Sequence, residues 1–234
     1  MVRKVAIHQP NYLPWLGFFN KISKADCYVM LDRADYVKNS VMNRNKVKIG
    51  RDEWTYLTIP IPRKFYRTPM NEVLLPENKD WARKHLKTIE MHYSKAEFFN
   101  NYRNFFREVY LNPPEKFVDL AEKIIRYMLN EFKINVEIVK ESKLGIDPEL
   151  RKTDRLLEIL RKVDADVYLS GAGGSREYLE EDKFNDIELE FVEFKQPRYR
   201  QLYGEYLNGM SAVDLLFNEG VNSEKYVKAG ENGM

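Results

Sequence analysis

The stretch Arg3-Lys4-Val5-Ala6-Ile7-His8-Gln9-Pro10-Asn11-Tyr12-Leu13-Pro14-Trp15-Leu16-Gly17-Phe18-Phe19-Asn20-Lys21-Ile22 decides the fold. Its apolar start reads as a strand, Arg3–His8. A polar, aromatic and proline-stiffened elbow follows, and an amphipathic segment from about Trp15 to Lys24 reads as a helix. Only Ala25-Asp26 separates that helix from a second strand, Cys27–Leu31. So compact a strand–helix–strand unit implies parallel pairing with a right-handed crossover. Ligands of open α/β sheets bind outside the carboxyl ends of the strands, so the His8–Trp15 elbow is a candidate site.

The last third of the chain repeats this rhythm. Asn135–Val139 reads as a strand, and Arg151–Val163 as a helix with an apolar stripe of Leu156, Leu157, Ile159, Leu160 and Val163. Thr153 or Asp147 stands near its cap. The strand Asp166–Ser170, a glycine turn, a helix Ser175–Lys183 and the strand Ile187–Phe194 complete the pattern. Five strands alternating with helices predict an α/β fold with a mostly parallel, doubly wound sheet. The middle is different. Lys46–Ile49 and Trp54–Ile59 flank Gly50-Arg51-Asp52-Glu53 and read as a β-hairpin that Pro60 and Pro62 end. Three helices follow, Trp81–His92, Phe98–Tyr110 and Pro114–Phe132, the last with Pro-Pro-Glu suited to a first helical turn. Residues 1–234 are therefore read as a single α/β domain, with 38–132 as a hairpin and helical insertion or covering lobe.

With 234 residues and 44% hydrophobic content the chain can bury a substantial core. A net charge of +2, from 38 basic and 36 acidic residues, argues against global attraction to nucleic acid or an anionic membrane. No apolar run reaches the roughly 20 residues needed to cross a bilayer, and no signal-peptide core follows Met1. A cytoplasmic protein without membrane insertion is expected. Cys27 is the sole cysteine, which excludes an intrachain disulfide and a multi-cysteine metal site. It reads as a buried structural thiol. No metal site is expected.

His8 is the leading acid/base candidate, because imidazole exchanges protons near neutral pH without a large perturbation. Gln9, Asn11, Tyr12 and Trp15 add hydrogen-bonding groups and a stacking surface beside it. Asp32, at the end of the second strand, is placed to orient His8, to bind a substrate amine or to hold a metal. Asn43-Arg44-Asn45 concentrates planar polar groups, and Arg44 is suited to clamp a phosphate or carboxylate. Eight basic residues lie between Lys38 and Arg67, against Asp52 and Glu53 alone.

His85 and His92 share one face of a predicted helix but stand about 10 Å apart along its axis, too far to share a metal. His85 remains a candidate for reaching the cleft. Ser170-Gly171-Ala172-Gly173-Gly174 after a predicted strand is a candidate anion cradle, with Ser170, Gly171 and Gly173 as contacts. It lacks the lysine of a Walker A loop. Tyr199 and Gln201 are further candidate cleft contacts, and in Ser211–Asn218 the residues Ser211 and Asp214 read as a capping arrangement.

Taken together, Ile7-His8-Gln9-Pro10-Asn11-Tyr12-Leu13-Pro14-Trp15-Leu16-Gly17-Phe18, Asn43-Arg44-Asn45, Trp81 with Lys84-His85, Tyr168-Leu169-Ser170-Gly171 and Ser211–Asn218 resemble the WbqC-like family of bacterial and archaeal proteins. The resemblance runs in order along nearly the whole chain. It implies a link to surface-polysaccharide (O-antigen) gene clusters and a glycine-transferase role. More distantly, the first strand and Pro14–Phe18 resemble the nucleotidyltransferase/Rossmann-like scaffold that carries a His-x-Gly-His signature at a helix start. Only Gly17 matches, with Trp15 and Phe18 in place of both histidines.

Three readings follow. The first is a group transferase moving a small acyl group onto a sugar-nucleotide or related small-molecule acceptor, with His8 as general base, Asp32 as its orienter or an amine anchor, and Arg44 with the Gly171–Gly174 turn holding carboxylate or phosphate. The second is an ATP-dependent adenylylating enzyme or ligase. The third is a non-catalytic binder of nucleotide-sugars or nucleic acid, which the near-neutral charge disfavours. Whether the cofactor is ATP with Mg²⁺ or the substrate is itself nucleotide-linked is left open, as is the oligomeric state.

Overall fold

The structure is a computed structural model and describes residues 1–173 and 179–229. Five strands, β1 (Lys4–His8), β2 (Cys27–Met30), β5 (Glu137–Lys140), β6 (Val167–Gly171) and β7 (Glu188–Val192), form one parallel sheet in the order β5-β2-β1-β6-β7. The hairpin of β3 (Arg44–Lys48) and β4 (Trp54–Thr58) stands apart as an antiparallel pair.

Alternation along the strands sorts the two faces of the sheet. Ala6, Tyr28, Met30 and Leu169 pack into one apolar cluster, which takes in α1 (Leu16–Ser23), α2 (Asp80–Tyr93), α3 (Phe99–Leu111), α4 (Phe117–Glu131) and α6 (Ala212–Glu219). Val5, Ile7, Cys27, Val29 and Tyr168 face the other way, toward α5 (Lys152–Lys162). Right-handed crossovers require this division: β1 to β2 to β5 steps one way across the sheet, and the return to β6 steps the other. The expected doubly wound α/β class is observed. A last helix, α7 (Ser223–Lys228), packs on α1.

Pairing of β1 with β2 is parallel, Val5 opposite Cys27 through His8 opposite Met30. Cys27 is buried as expected, and burial pushes its thiol up to about 11. Three local expectations are corrected. Pro113 and Pro114 do not enter the helix, which starts at Phe117. Leu75 N donates to Glu115 O and Phe117 N to Val73 O, so the segment is held extended against residues 73–75. Neither Asp147 nor Thr153 caps α5: Arg151 stands at the cap without a side-chain bond, and the Thr153 hydroxyl accepts from Glu180 N instead. The expected helix Ser175–Lys183 lies partly outside the described residues, and Glu181–Lys183 form a single 3-10 turn. Among the described residues no helix is long and apolar enough to cross a membrane.

Candidate functional site

In the order β5-β2-β1-β6-β7 the direction of strand succession reverses between β1 and β6. That reversal opens the crevice where doubly wound sheets bind ligands, and His8 and Gly171 end the two strands that flank it. Register puts His8 on the α1 face, where its ring meets Phe18 edge-on with centroids 5.1 Å apart. Nδ1 lies 3.0 Å from the Gln9 carbonyl. A carbonyl only accepts, so Nδ1 carries the proton and Nε2 presents its lone pair.

Burial, then the neighbouring Lys21 ammonium, pushes the His8 ring down to about 3. The expectation of a histidine titrating near neutrality is thus not met in the unliganded chain, where the ring is neutral. Lys21 is the residue that sequence reasoning missed here. It is buried on α1, donates to Ile7 O at 2.9 Å, and is lowered by burial to about 7. The available signal was its place between Phe18 and Ile22, on the apolar stripe of α1.

Two polar side chains at this edge are buried without partners. Asn11 is 1% exposed, and both its amide atoms lack hydrogen bonds among the described residues; the Ser170 hydroxyl, on a fully buried residue, lacks one too. Each such group costs about 1–3 kcal/mol relative to a satisfied one, which marks the edge as polar and under-satisfied. Gly171 and Gly173 follow Ser170, with nothing within 4 Å of a Cβ at either position among the described residues. Gly174 lies outside the described residues.

Beside the crevice, on the α5 face, is a pocket of about 510 Å³ lined by Gln9, Arg33, Asp35, Arg151, Lys152 and Arg155 among others. It sits at the amino end of α5, whose first turn has no side-chain cap. Arg155 is already committed, in a bidentate pair with the buried Glu141 at 2.7 and 2.6 Å. Arg33 donates to Ile146 O, and Arg151 to the Leu150 and Pro148 carbonyls.

Asp32 is buried but does not meet His8. Its carboxylate accepts from Ser142 N at 2.9 Å and Ser142 Oγ at 2.6 Å, which ties the end of β2 to the turn after β5. The expected His8–Asp32 pair is therefore replaced by a Ser142 tether, because Ser142 lies beyond β5, the strand next to β2.

Asn43 and Asn45 are both buried. Asn43 donates to Ile59 O, and Asn45 donates to Leu13 O at 2.6 Å while accepting from Lys46 N. Asn43 thus ties the two arms of the hairpin together, while Asn45, with Tyr12 N on Met42 O, holds the β1–α1 loop against it, and Ser211 N on Lys46 O docks the start of α6 there. Between the two asparagines Arg44 faces outward, its guanidinium 4.2 Å over the Tyr56 ring, and Lys46 Nζ lies 4.2 Å over Trp54. Trp15, at the cap of α1, closes the space opposite. Together with Asn39, Ser40, Val41, Asn45 and Gly209 these residues line a second pocket of about 350 Å³.

His85 and Tyr199 belong to buried polar clusters. Tyr12 OH contacts His85 Nδ1 at 2.8 Å and the Tyr110 hydroxyl, and Trp81 meets the imidazole edge-on. Burial lowers the His85 ring to about 4, with a bond to the Thr58 backbone opposing the shift. Tyr12 and His85 are thus partners of one another within the core. Tyr199 OH, Tyr93 OH and Gln201 Nε2 donate to Asp214, with Lys48 nearby. The expected capping arrangement is half met: Ser211 Oγ accepts from Val213 N, while Asp214 turns inward to this cluster.

Comparison with known proteins gives the chain relatives. A model described as "WbqC-like protein family" matches residues 9–226. A Mycobacterium tuberculosis (strain ATCC 25618 / H37Rv) protein whose printed name is "Uncharacterized protein Rv1507c" is 30% identical over 233 residues, covering 97% of this chain and 98% of its own. No solved structure matches.

Proposed function

The chain belongs to the WbqC-like protein family, and from that premise we propose that it is a group transferase, moving a glycyl or similar small acyl group onto a sugar-nucleotide or related acceptor of surface-polysaccharide synthesis. The observation that carries this reading is the pair of buried groups unpartnered among the described residues, Asn11 in the loop after β1 and Ser170 next to the last residue of β6, on the two strands flanking the sheet's switch point. Beside them the pocket with Gln9, Arg33, Arg151 and Lys152 at the start of α5 supplies cations and free backbone N–H groups for a phosphate or carboxylate.

In the transfer, an amine or hydroxyl of the acceptor attacks the donor's carbonyl carbon. The new amide or ester bond forms as the bond to the leaving group breaks; the acceptor's proton passes to His8 Nε2, and the leaving group departs with the electron pair of the broken bond and takes up that proton. His8 Nε2, the free lone pair of a neutral ring, accepts the hydrogen bond from the attacking group. Asn11 and the Ser170–Gly173 turn orient the donor. Asp32 supports the site through Ser142.

The test is product formation. Purified protein is incubated with amino-sugar nucleotides and either glycine with ATP and Mg²⁺ or a preformed activated glycyl donor, and acceptors are analysed by mass spectrometry. An acceptor gaining one glycyl unit, lost in a folded His8→Ala variant, supports the reading. Binding of acceptors without acylation from any donor counts against it. Pyrophosphate exchange dependent on an amino acid would move the assignment to the adenylylating alternative.

A further inference from the structure

The second pocket shares no lining residue with the one at the switch point. Arg44 and Trp15, expected to serve the cleft at His8, line it instead, and the proposed transfer step does not use them. Arg44 and Lys46 form no ion pair among the described residues; their charges rest instead on the faces of Tyr56 and Trp54. No acidic residue lines the pocket, so an anion entering it displaces no carboxylate. A guanidinium stacked on a ring keeps its N–H fork free at the edge, the geometry that grips a phosphate with two bonds.

The opposite wall is an aromatic face already fixed in place. Trp15 is 37% exposed, yet its ring is braced edge-on by Phe194 at 5.9 Å and folds over Gly17, where a Cβ would overlap the indole. The backbone on either side is bonded too, since Trp15 pairs with Ser211 and Asn45 secures Leu13. Gly209, at a φ of +73° that glycine tolerates best, lines the pocket with nothing within 4 Å of a Cβ. Exposed aromatic faces held rigid in this way meet a planar ligand with little ordering penalty. A volume of about 350 Å³ lies within the range of small-molecule sites.

We infer that this pocket between Trp15 and the Arg44–Tyr56 stack binds a nucleoside 5′-phosphate, the base stacking on Trp15 and the phosphate held by Arg44 and Lys46. The shared chemistry is a flat aromatic ring carrying an anion, whether a free mononucleotide or the nucleotide end of a sugar-nucleotide. The inference does not rest on the acyl-transfer reading: its residues take no part in the proposed transfer step, and it is tested by binding alone.

Calorimetric titration of the full chain with UMP, AMP, UDP-N-acetylglucosamine, uridine and ribose 5-phosphate tests it. UMP or AMP is expected to bind, with uridine and ribose 5-phosphate weaker by about tenfold or more, since base stacking and phosphate contact each contribute. Arg44→Gln and Trp15→Ala should each weaken nucleotide binding by about tenfold or more, the first with unchanged thermal unfolding and the second with a lower thermal midpoint but a single cooperative transition, since the Trp15 ring also packs on Phe194. Arg103→Gln, at an exposed position of α3 outside both pockets, should leave it unchanged. A sugar-nucleotide that outbinds UMP identifies the linked form as the ligand, and equal binding identifies the free nucleotide. The inference is overturned if Arg44→Gln and Trp15→Ala bind as the parent chain does, if Arg103→Gln weakens binding as they do, if Arg151→Gln, at the other pocket, alone loses binding, or if no nucleotide binds. It is overturned in favour of a polymer if oligouridine binds with a steep salt dependence while UMP does not.

Discussion

Replacing Lys21 with Met probes the electrostatics on which the sheet's carboxyl edge rests. Lys21 is buried, donates to Ile7 O, and is lowered by burial from 10.5 to about 7. Below about pH 7 the amine is charged in both the folded and unfolded chains, and the folded chain bears the full desolvation cost. Between about 7 and 10.5 the unfolded chain holds a proton that the folded chain has released, so stability rises with pH. Above 10.5 both forms are neutral and the cost is gone.

The slope in that window approaches ~1.4 kcal/mol per pH unit. From about pH 7 to about pH 9.5 the parent chain should gain roughly 3 kcal/mol relative to Lys21→Met, which has no such titration and fills a similar volume. Urea unfolding of both proteins across that range measures it, and the titrations of the buried tyrosines, common to both, cancel in the difference. The same variant should raise the His8 ring, which burial first and the Lys21 charge second hold near 3, by an amount NMR titration reads directly. A stability difference that stays constant with pH would refute the placement of Lys21 as a buried, nearly neutral amine.

Asp32→Asn keeps an acceptor for Ser142 N and offers a donor to Ser142 Oγ, so urea unfolding should shift by less than about 1 kcal/mol and acyl transfer should persist; complete loss of product in a stable variant would make Asp32 catalytic rather than a tether. Asp214→Asn turns an amide toward the Gln201 and Tyr199 donors and should destabilise the chain by about 3 kcal/mol, read as a fall in thermal midpoint; an unchanged midpoint would show that the buried cluster contributes little. Gly17→Ala places a methyl group inside the Trp15 indole, so nucleotide affinity should fall as it does in Trp15→Ala, with about 1–3 kcal/mol of destabilisation; unaltered binding would show that the ring position is not needed.

The parallel sheet and its helices were legible in the sequence, because they depend on local signals. An apolar run of strand length, a stripe of helical period and a two-residue turn between them are read within twenty-odd residues, and β1, α1 and β2 stand within a residue or two of their expected ends. The sequence also marked the elbow after β1, whose prolines and aromatics are unusual wherever they fall. Where local signals competed, tertiary contacts won: Pro113-Pro114 suited a helix start, but bonding to residues 73–75 kept the segment extended.

Which polar groups meet depends on how the elements pack. Asp32 could be assigned to His8 from the sequence, since both end neighbouring strands, but β5 lies on the far side of β2 and brings Ser142 to it. Tyr12 and His85, 73 residues apart, read as separate cleft contacts and instead bond to each other. Burial likewise sets charge. His8 and Lys21 differ from exposed residues only through what surrounds them, and desolvation by the closed core, which no window of sequence contains, is what makes the ring hard to protonate and the amine easy to neutralise.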